Sequence, residues 1–193
     1  MKIFLAGATG AIGRHLVPDL VGRGHDVVGT TRTQAKAGAL RAAGAEPVVL
    51  DILDRDTVML AVMRAEPDVV MHQATALTGM DDLRHWERTF ALTNRLRIEG
   101  TDNLLAAAQA AGASRFIAQS YAGWPNARTG GPVKTEDDPL DPDPPEEMRS
   151  SLEAIRHVES VVPAAEGLTG IVLRYGGLYG PATGLWPGGE QYE

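Results

Sequence analysis

The sequence predicts an α/β protein in which a doubly wound parallel sheet lies between two layers of helices, a three-layer α/β/α arrangement. Short runs rich in Val, Ile and Phe alternate along the chain with stretches of helical periodicity. Neighbouring runs are separated by enough chain for a helix and too much for a hairpin, so they pair in parallel through right-handed crossovers. Three glycines stand where the first run hands over to the first helical stretch. With 193 residues, 44% of them hydrophobic, the chain is long enough for one well-buried domain and too short for two large ones.

The strand candidates are residues 2–6 (KIFLA), 26–30 (DVVGT), 46–50 (EPVVL), 68–72 (DVVMH), 115–119 (RFIAQ) and 171–175 (IVLRY). Residues 11–23 carry Ile12, Leu16, Leu20 and Val21 on one helical face, and the GRG that closes the stretch ends the pattern. A second helix is expected over 34–43, and a third from Asp54, an N-cap residue type, to just before Pro67. Residues 82–111 form the longest helical stretch, with a break expected near Thr89 and a C-cap at Gly112. Residues 121–145 hold six of the twelve prolines and read as one long loop at the carboxyl edge of the sheet. No internal repeat of fixed period is present.

Composition excludes several functions. The net charge of -7 and the lack of any basic block argue against nucleic acid as a partner, which leaves a small-molecule substrate. Absence of cysteine removes disulfides, thiolate metal sites and a cysteine nucleophile, and suits a reducing compartment. Met1 runs straight into KIFLAG with no charged leader segment, and no run of 18 apolar residues occurs, so no membrane association and a soluble, cytoplasmic protein are expected. The acidic stretch TEDDPLDPDPPEE is a solvated loop without metal-ligand spacing, and no metal site is expected.

Gly7, Gly10 and Gly13 form G-x-x-G-x-x-G between the first strand and the first helix. The first glycine permits a tight turn, the second lets backbone amides approach a diphosphate, and the third lets helix and sheet pack closely, with Thr9, Ala11 and Ile12 completing the loop. Three glycines can also merely shape a turn, but their place in a βαβ unit favours a dinucleotide site of the Rossmann type. An acidic residue at the end of the second strand would bind a ribose 2′-hydroxyl; this chain has VVGTTRT there, and Arg32 offers a planar cation suited to a 2′-phosphate. NADP is therefore the expected cofactor, with NAD as the second choice. Arg14 either helps or is solvated. Asp51, with Ile52 beside it, either accepts from the adenine amino group or caps the next helix.

These glycines, LD at 50–51, HQAT at 72–75, EGTDNLLAAA at 99–108, RFIAQS at 115–120 and LRYGGLYGP at 173–181 resemble the extended or atypical short-chain dehydrogenase/reductases, the NAD(P)-dependent epimerase/dehydratase superfamily. The resemblance covers nearly the whole chain. It implies that Gln73, Ala74 and Thr75 border the adenosine ribose and diphosphate. Gln119 and Ser120 would approach the nicotinamide ribose, and the backbone of Tyr175 to Leu178, Gly177 included, would flank the nicotinamide. It further implies a dinucleotide-binding domain over 1–181, with 182–193 as the start of a substrate-binding region that this chain does not continue.

The catalytic pattern departs from that family. A working member carries Ser or Thr after the fifth strand and Tyr-x-x-x-Lys on the next helix, where the lysine lowers the phenol's pKa. Alignment on AIRHVES puts Ser151 at the tyrosine position and Ile155 at the lysine position. Ser120 is retained and Tyr121 falls at the catalytic serine position, so these two are the catalytic candidates. Tyr121 needs a nearby cation, for which Lys134 and Arg149 are available, and otherwise packs as a structural tyrosine. His157 reads as structural or surface. Leu185 and Trp186 near the carboxyl end would gain from burial, which makes a homodimer an expectation. Two functions fit: an oxidoreductase or epimerase-like enzyme with an unusual proton donor, and a non-catalytic NADP-binding redox sensor or regulatory protein.

Overall fold

The computed structural model describes residues 1–77 and 83–180. In chain order the elements are β1 (Lys2–Ala6), α1 (Gly13–Gly22), β2 (Asp26–Thr31), α2 (Gln34–Ala42), β3 (Glu46–Val49), α3 (Arg55–Ala65) and β4 (Val69–His72). A 3-10 turn (Leu83–His85), α4 (Trp86–Arg95), a π-helical turn (Leu96–Gly100) and α5 (Thr101–Ala110) follow, then β5 (Arg115–Tyr121), a second 3-10 turn (Glu146–Met148), α6 (Arg149–Val161) and β6 (Thr169–Tyr175). All six strands pair in parallel in the order β3-β2-β1-β4-β5-β6. The direction in which successive strands are added reverses between β1 and β4, so the crevice beyond their carboxyl ends is the ligand position for a sheet of this topology.

Period-two alternation in β1 builds both halves of the core. Ile3 and Leu5 pack with Val17, Leu20 and Leu40 beneath α1 and α2. Phe4 and Ala6 pack with Val62, Val70, Leu104 and Phe116 beneath the α3, α5 and α6 layer. A strand covered on both faces reads as an uninterrupted apolar run, which KIFLA is.

Asp54 caps α3 as expected, accepting from the Thr57 amide at 3.2 Å. Gly112 at φ 72° takes the left-handed conformation that ends α5. Two expectations need correction. The long helical stretch runs through Thr89 and breaks instead at the π-turn, where the Leu96 carbonyl accepts from the ring of His72 at 3.0 Å. A side chain that takes a helix carbonyl interrupts the regular ladder at that point. β5 extends through Tyr121, because its register with β6 continues to Tyr121↔Tyr175, so the loop starts one residue later. That loop is also held internally by an antiparallel bridge between Asn126 and Leu140, flanked by Ala127 N–H to the Pro139 carbonyl and Asp141 N–H to the Pro125 carbonyl. Leu185, Trp186 and the segment 182–193 lie outside the described residues.

Candidate functional site: a dinucleotide cradle and a buried arginine

The glycines of the first turn answer to different neighbours. Gly7 has φ 85°, and a Cβ there would lie 2.6 Å from the Ala74 nitrogen, so the β1 turn and the segment after β4 touch backbone to backbone. A Cβ on Gly13 would lie 2.6 Å from the Ala8 carbonyl carbon, which lets α1 begin directly on the turn. Gly10 differs: its Cβ would meet only the Gly7 oxygen, at 3.3 Å, and would otherwise project into open space. The fold itself therefore makes little demand for glycine at 10, whereas a ligand approaching the backbone does. Around it, the amides of Ala11, Ile12 and Gly13 donate to no group among the described residues. α1 has neither a side-chain cap nor an acidic residue in its first turn. Bare amides, a positive dipole end and space at Gly10 fit a diphosphate. Thr30 at the end of β2 holds the turn in place, its hydroxyl accepting from the Gly7 amide at 3.2 Å. Thr9 sits half-buried in the same turn.

Other expected cofactor residues gather along the same edge. Arg32 is exposed immediately after β2, with no hydrogen bond or ion pair among the described residues. Asp51 is exposed after β3 and accepts from the Leu53 amide at 3.0 Å; it organises its own turn, and the helix cap belongs to Asp54. The Ile52 side chain is buried, and its carbonyl accepts from Asn103 at 3.0 Å, so only backbone is available there to a ligand. Gln73 donates its amide N–H to the Ala6 carbonyl at 2.9 Å. Its side chain reaches Tyr175, whose hydroxyl pKa is raised by burial, with the Gln73 contact opposing. Gln73 Oε1 is buried without a partner. Ala74 and Thr75 are half-buried beside the Gly7 turn, and Gly177 is exposed after β6. Arg14 contacts His15 at 3.3 Å, and both line a cleft of about 480 Å³ between the start of α1 and residues 178–180.

At the ends of β5 and β6 the groups are arranged differently from the expectation. Gln119 is half-buried. Ser120 is buried, and its hydroxyl donates to Glu159 on α6 at 2.6 Å; Arg174 of β6 grips the same carboxylate with two bonds, at 2.9 and 2.7 Å. Neither cation named for Tyr121 is free to serve it. Lys134 donates to the Thr129 carbonyl and lies 3.9 Å from Asp138, and Arg149 lies 3.5 Å from Asp143. His157 pairs with Asp102 at 2.6 Å, in keeping with a structural histidine. Ser151 is fully buried and accepts from Trp86 Nε1 at 3.0 Å and Asn94 Nδ2 at 3.1 Å, while Ile155 is a core residue.

The cation beside Tyr121 is Arg97, which sequence reasoning missed. It sits on the π-turn, 7% exposed, and interacts electrostatically with the Tyr121 phenol. Burial lowers its pKa to about 10, and Tyr121 opposes that shift. The signal was available: Phe90, Asn94, Arg97 and Thr101 follow helical spacing, and all four are buried, so a charged residue occupies a core phase. His72 was missed as well. Its Nδ1 accepts from the Ala74 amide at 3.3 Å, so Nε2 carries the proton that goes to Leu96. Burial lowers its pKa to about 4, with Arg97 adding to the fall and the Leu96 bond opposing it.

Comparison with known proteins agrees with this architecture. The NAD dependent epimerase/dehydratase family matches residues 3–188. A Streptomyces protein named 3-diazoavenalumate denitrifying reductase is 47% identical over 186 residues, 95% of this chain and 58% of that protein. A Stigmatella aurantiaca ketoreductase of a farnesylated dihydroquinoline oxide is 33% identical over 117 residues, 61% of this chain and 32% of that protein. Thermus thermophilus UDP-glucose 4-epimerase in complex with NAD superposes with a TM-score of 0.74 at 26% identity, over 95% of this chain and 57% of that one. The Bordetella bronchiseptica enzyme WbmH in complex with NAD+ superposes at 0.72 with 23% identity, over 94% and 57%. The chain thus spans just over half the length of these full-span relatives. With its G-x-x-G-x-x-G turn, its strand order and the family match over most of its length, the chain belongs to the NAD dependent epimerase/dehydratase family.

Proposed function

We propose that this chain is the dinucleotide-binding part, residues 1–181, of an NADP-dependent reductase acting on a small molecule, with NAD as a weaker alternative cofactor. The observation that carries the reading is the bare amide edge of Ala11, Ile12 and Gly13 facing the space left by Gly10. When bound, the nicotinamide supplies hydride. The chain's residues bind and orient it: the α1 amides take the diphosphate, Arg32 the 2′-phosphate, Asp51 the adenosine end, and Gln73 with Tyr175 the sheet edge between them. Reduction rather than epimerisation is supported by the names of the Streptomyces and Stigmatella relatives, both of which describe reductions.

Hydride addition to a carbonyl leaves an alkoxide that needs a proton. Tyr121 is the donor of this reading, with the buried Arg97 cation as its electrostatic neighbour. Ser120 takes a positioning role through Glu159 and Arg174. Titration with NADPH and NADH, followed by a carbonyl panel, tests the reading: the expected result is tighter NADPH binding and turnover lost in Tyr121→Phe. The burial of Ser151 and Ile155 favours a second reading, an NADP-binding redox sensor or regulatory protein without turnover. Tight NADPH binding with no consumption on any substrate would select it.

A further inference from the structure

We propose that Arg97 anchors an anionic group of the substrate, a carboxylate or an equivalent oxyanion, on its guanidinium at the carboxyl edge of β4 and β5; the inference rests on the reductase reading. Arg97 is 7% exposed, its Nε is shielded from solvent without a partner, and it makes no hydrogen bond or ion pair among the described residues. A surface arginine in that state is hydrated, whereas one this buried leaves its Nε–H unsatisfied and its charge without a counter-ion. The half-buried Arg174, by contrast, has a two-pronged partner in Glu159.

The carboxylates of neighbouring elements are engaged elsewhere: Glu99 with Arg95, Asp102 with His157, Glu159 with Arg174. His72, the other titratable neighbour, is held neutral by the bond from Ala74 to Nδ1. Tyr121 offers a single oxygen with no formal charge. A carboxylate brings two coplanar oxygens and a full negative charge, matching the guanidinium fork. One helical turn back, Asn94 Oδ1 is also buried without a partner, so the same helix face carries an unmet acceptor that suits a hydroxyl on the ligand. Dinucleotide phosphates are not the anion in question, because the diphosphate cradle belongs to α1, which covers the opposite face of the sheet from α5 and α6.

The test uses protein saturated with NADP+ and titrated with benzoate, phenylacetate and 3-phenylpropionate, each against its primary amide, followed by ligand-observed saturation-transfer NMR. At least one acid is expected to bind tenfold or more tightly than its amide. Arg97→Gln should weaken the acid at least tenfold while leaving the amide and NADP+ within twofold. Arg97→Gln and Arg97→Met should melt no lower than the parent, because each removes an unpaired buried charge. Equal binding of acids and amides, acid affinity unchanged in Arg97→Gln, no acid binding to a protein that binds NADP+ normally, or a large fall in melting temperature in both variants would each overturn the proposal. If the parent fails to bind NADP+, the reductase reading fails instead; the same acid and amide comparison on the free protein then decides the anion site separately.

Discussion

Three glycines share one turn, yet the neighbours around Gly7 and Gly10 call for opposite outcomes on substitution. Gly7→Ala forces a Cβ into the Ala74 backbone at a left-handed φ, and chemical denaturation should show a loss of roughly 1–3 kcal/mol. Gly10→Val puts its side chain into space that the chain leaves empty. Its thermal melt should stay near the parent's while binding of NADPH and NADH disappears in a fluorescence titration; normal binding would remove the diphosphate reading. On the proposed reading, cofactor choice depends on Arg32. Arg32→Ala should weaken NADPH by tenfold or more, about 1.4 kcal/mol or above, and leave NADH nearly unchanged. Equal losses for the two would dissolve the argument for NADP.

At the scale of elements, the π-turn between α4 and α5 is a joint between β4 and the helices that cover it. His72 builds that joint by accepting from the Ala74 amide and donating to Leu96, and the first of these bonds requires the neutral ring. Its pKa of about 4 in the fold lies below the ordinary 6.5, so the unfolded chain binds the extra proton first. The associated stability is complete above about pH 6.5 and is lost as the pH falls toward 4. Between pH 7 and pH 5 this single group should remove about 2 kcal/mol in urea titrations, and His72→Gln should flatten that part of the pH profile. The Asp54 cap is a simpler case. Asp54→Ala frees the Thr57 amide and should cost about 1 kcal/mol.

Across the whole molecule, the parallel sheet gathers the carboxyl ends of β1, β2, β4, β5 and β6 on one edge, so a dinucleotide bound there would touch most of the sheet. A ligand that binds the folded state alone stabilises all of it. NADPH at a hundredfold excess over its Kd should contribute about 2.7 kcal/mol. For a chain of this size that corresponds to a rise of about 5–10 °C in Tm by scanning calorimetry. Among the described residues no helix is long and apolar enough to cross a membrane, and no group of three or more metal-ligating side chains occurs.

What the sequence determined by itself is the part written in neighbouring residues. Strands such as KIFLA and IVLRY, the Asp54 cap, the Gly112 stop and the G-x-x-G-x-x-G turn all depend on contacts within a few positions, where period, cap chemistry and backbone freedom operate. The tertiary structure decided what depends on distant partners. The interruption of the helix at Leu96 follows from a histidine 24 residues earlier in the chain. The cation that interacts with Tyr121 is Arg97, while Lys134 and Arg149 pair with Asp138 and Asp143 of the long loop. Whether a charge is bare or paired depends on which side chains the fold brings within a few ångströms and how much water it excludes, and no local pattern in the chain carries that information.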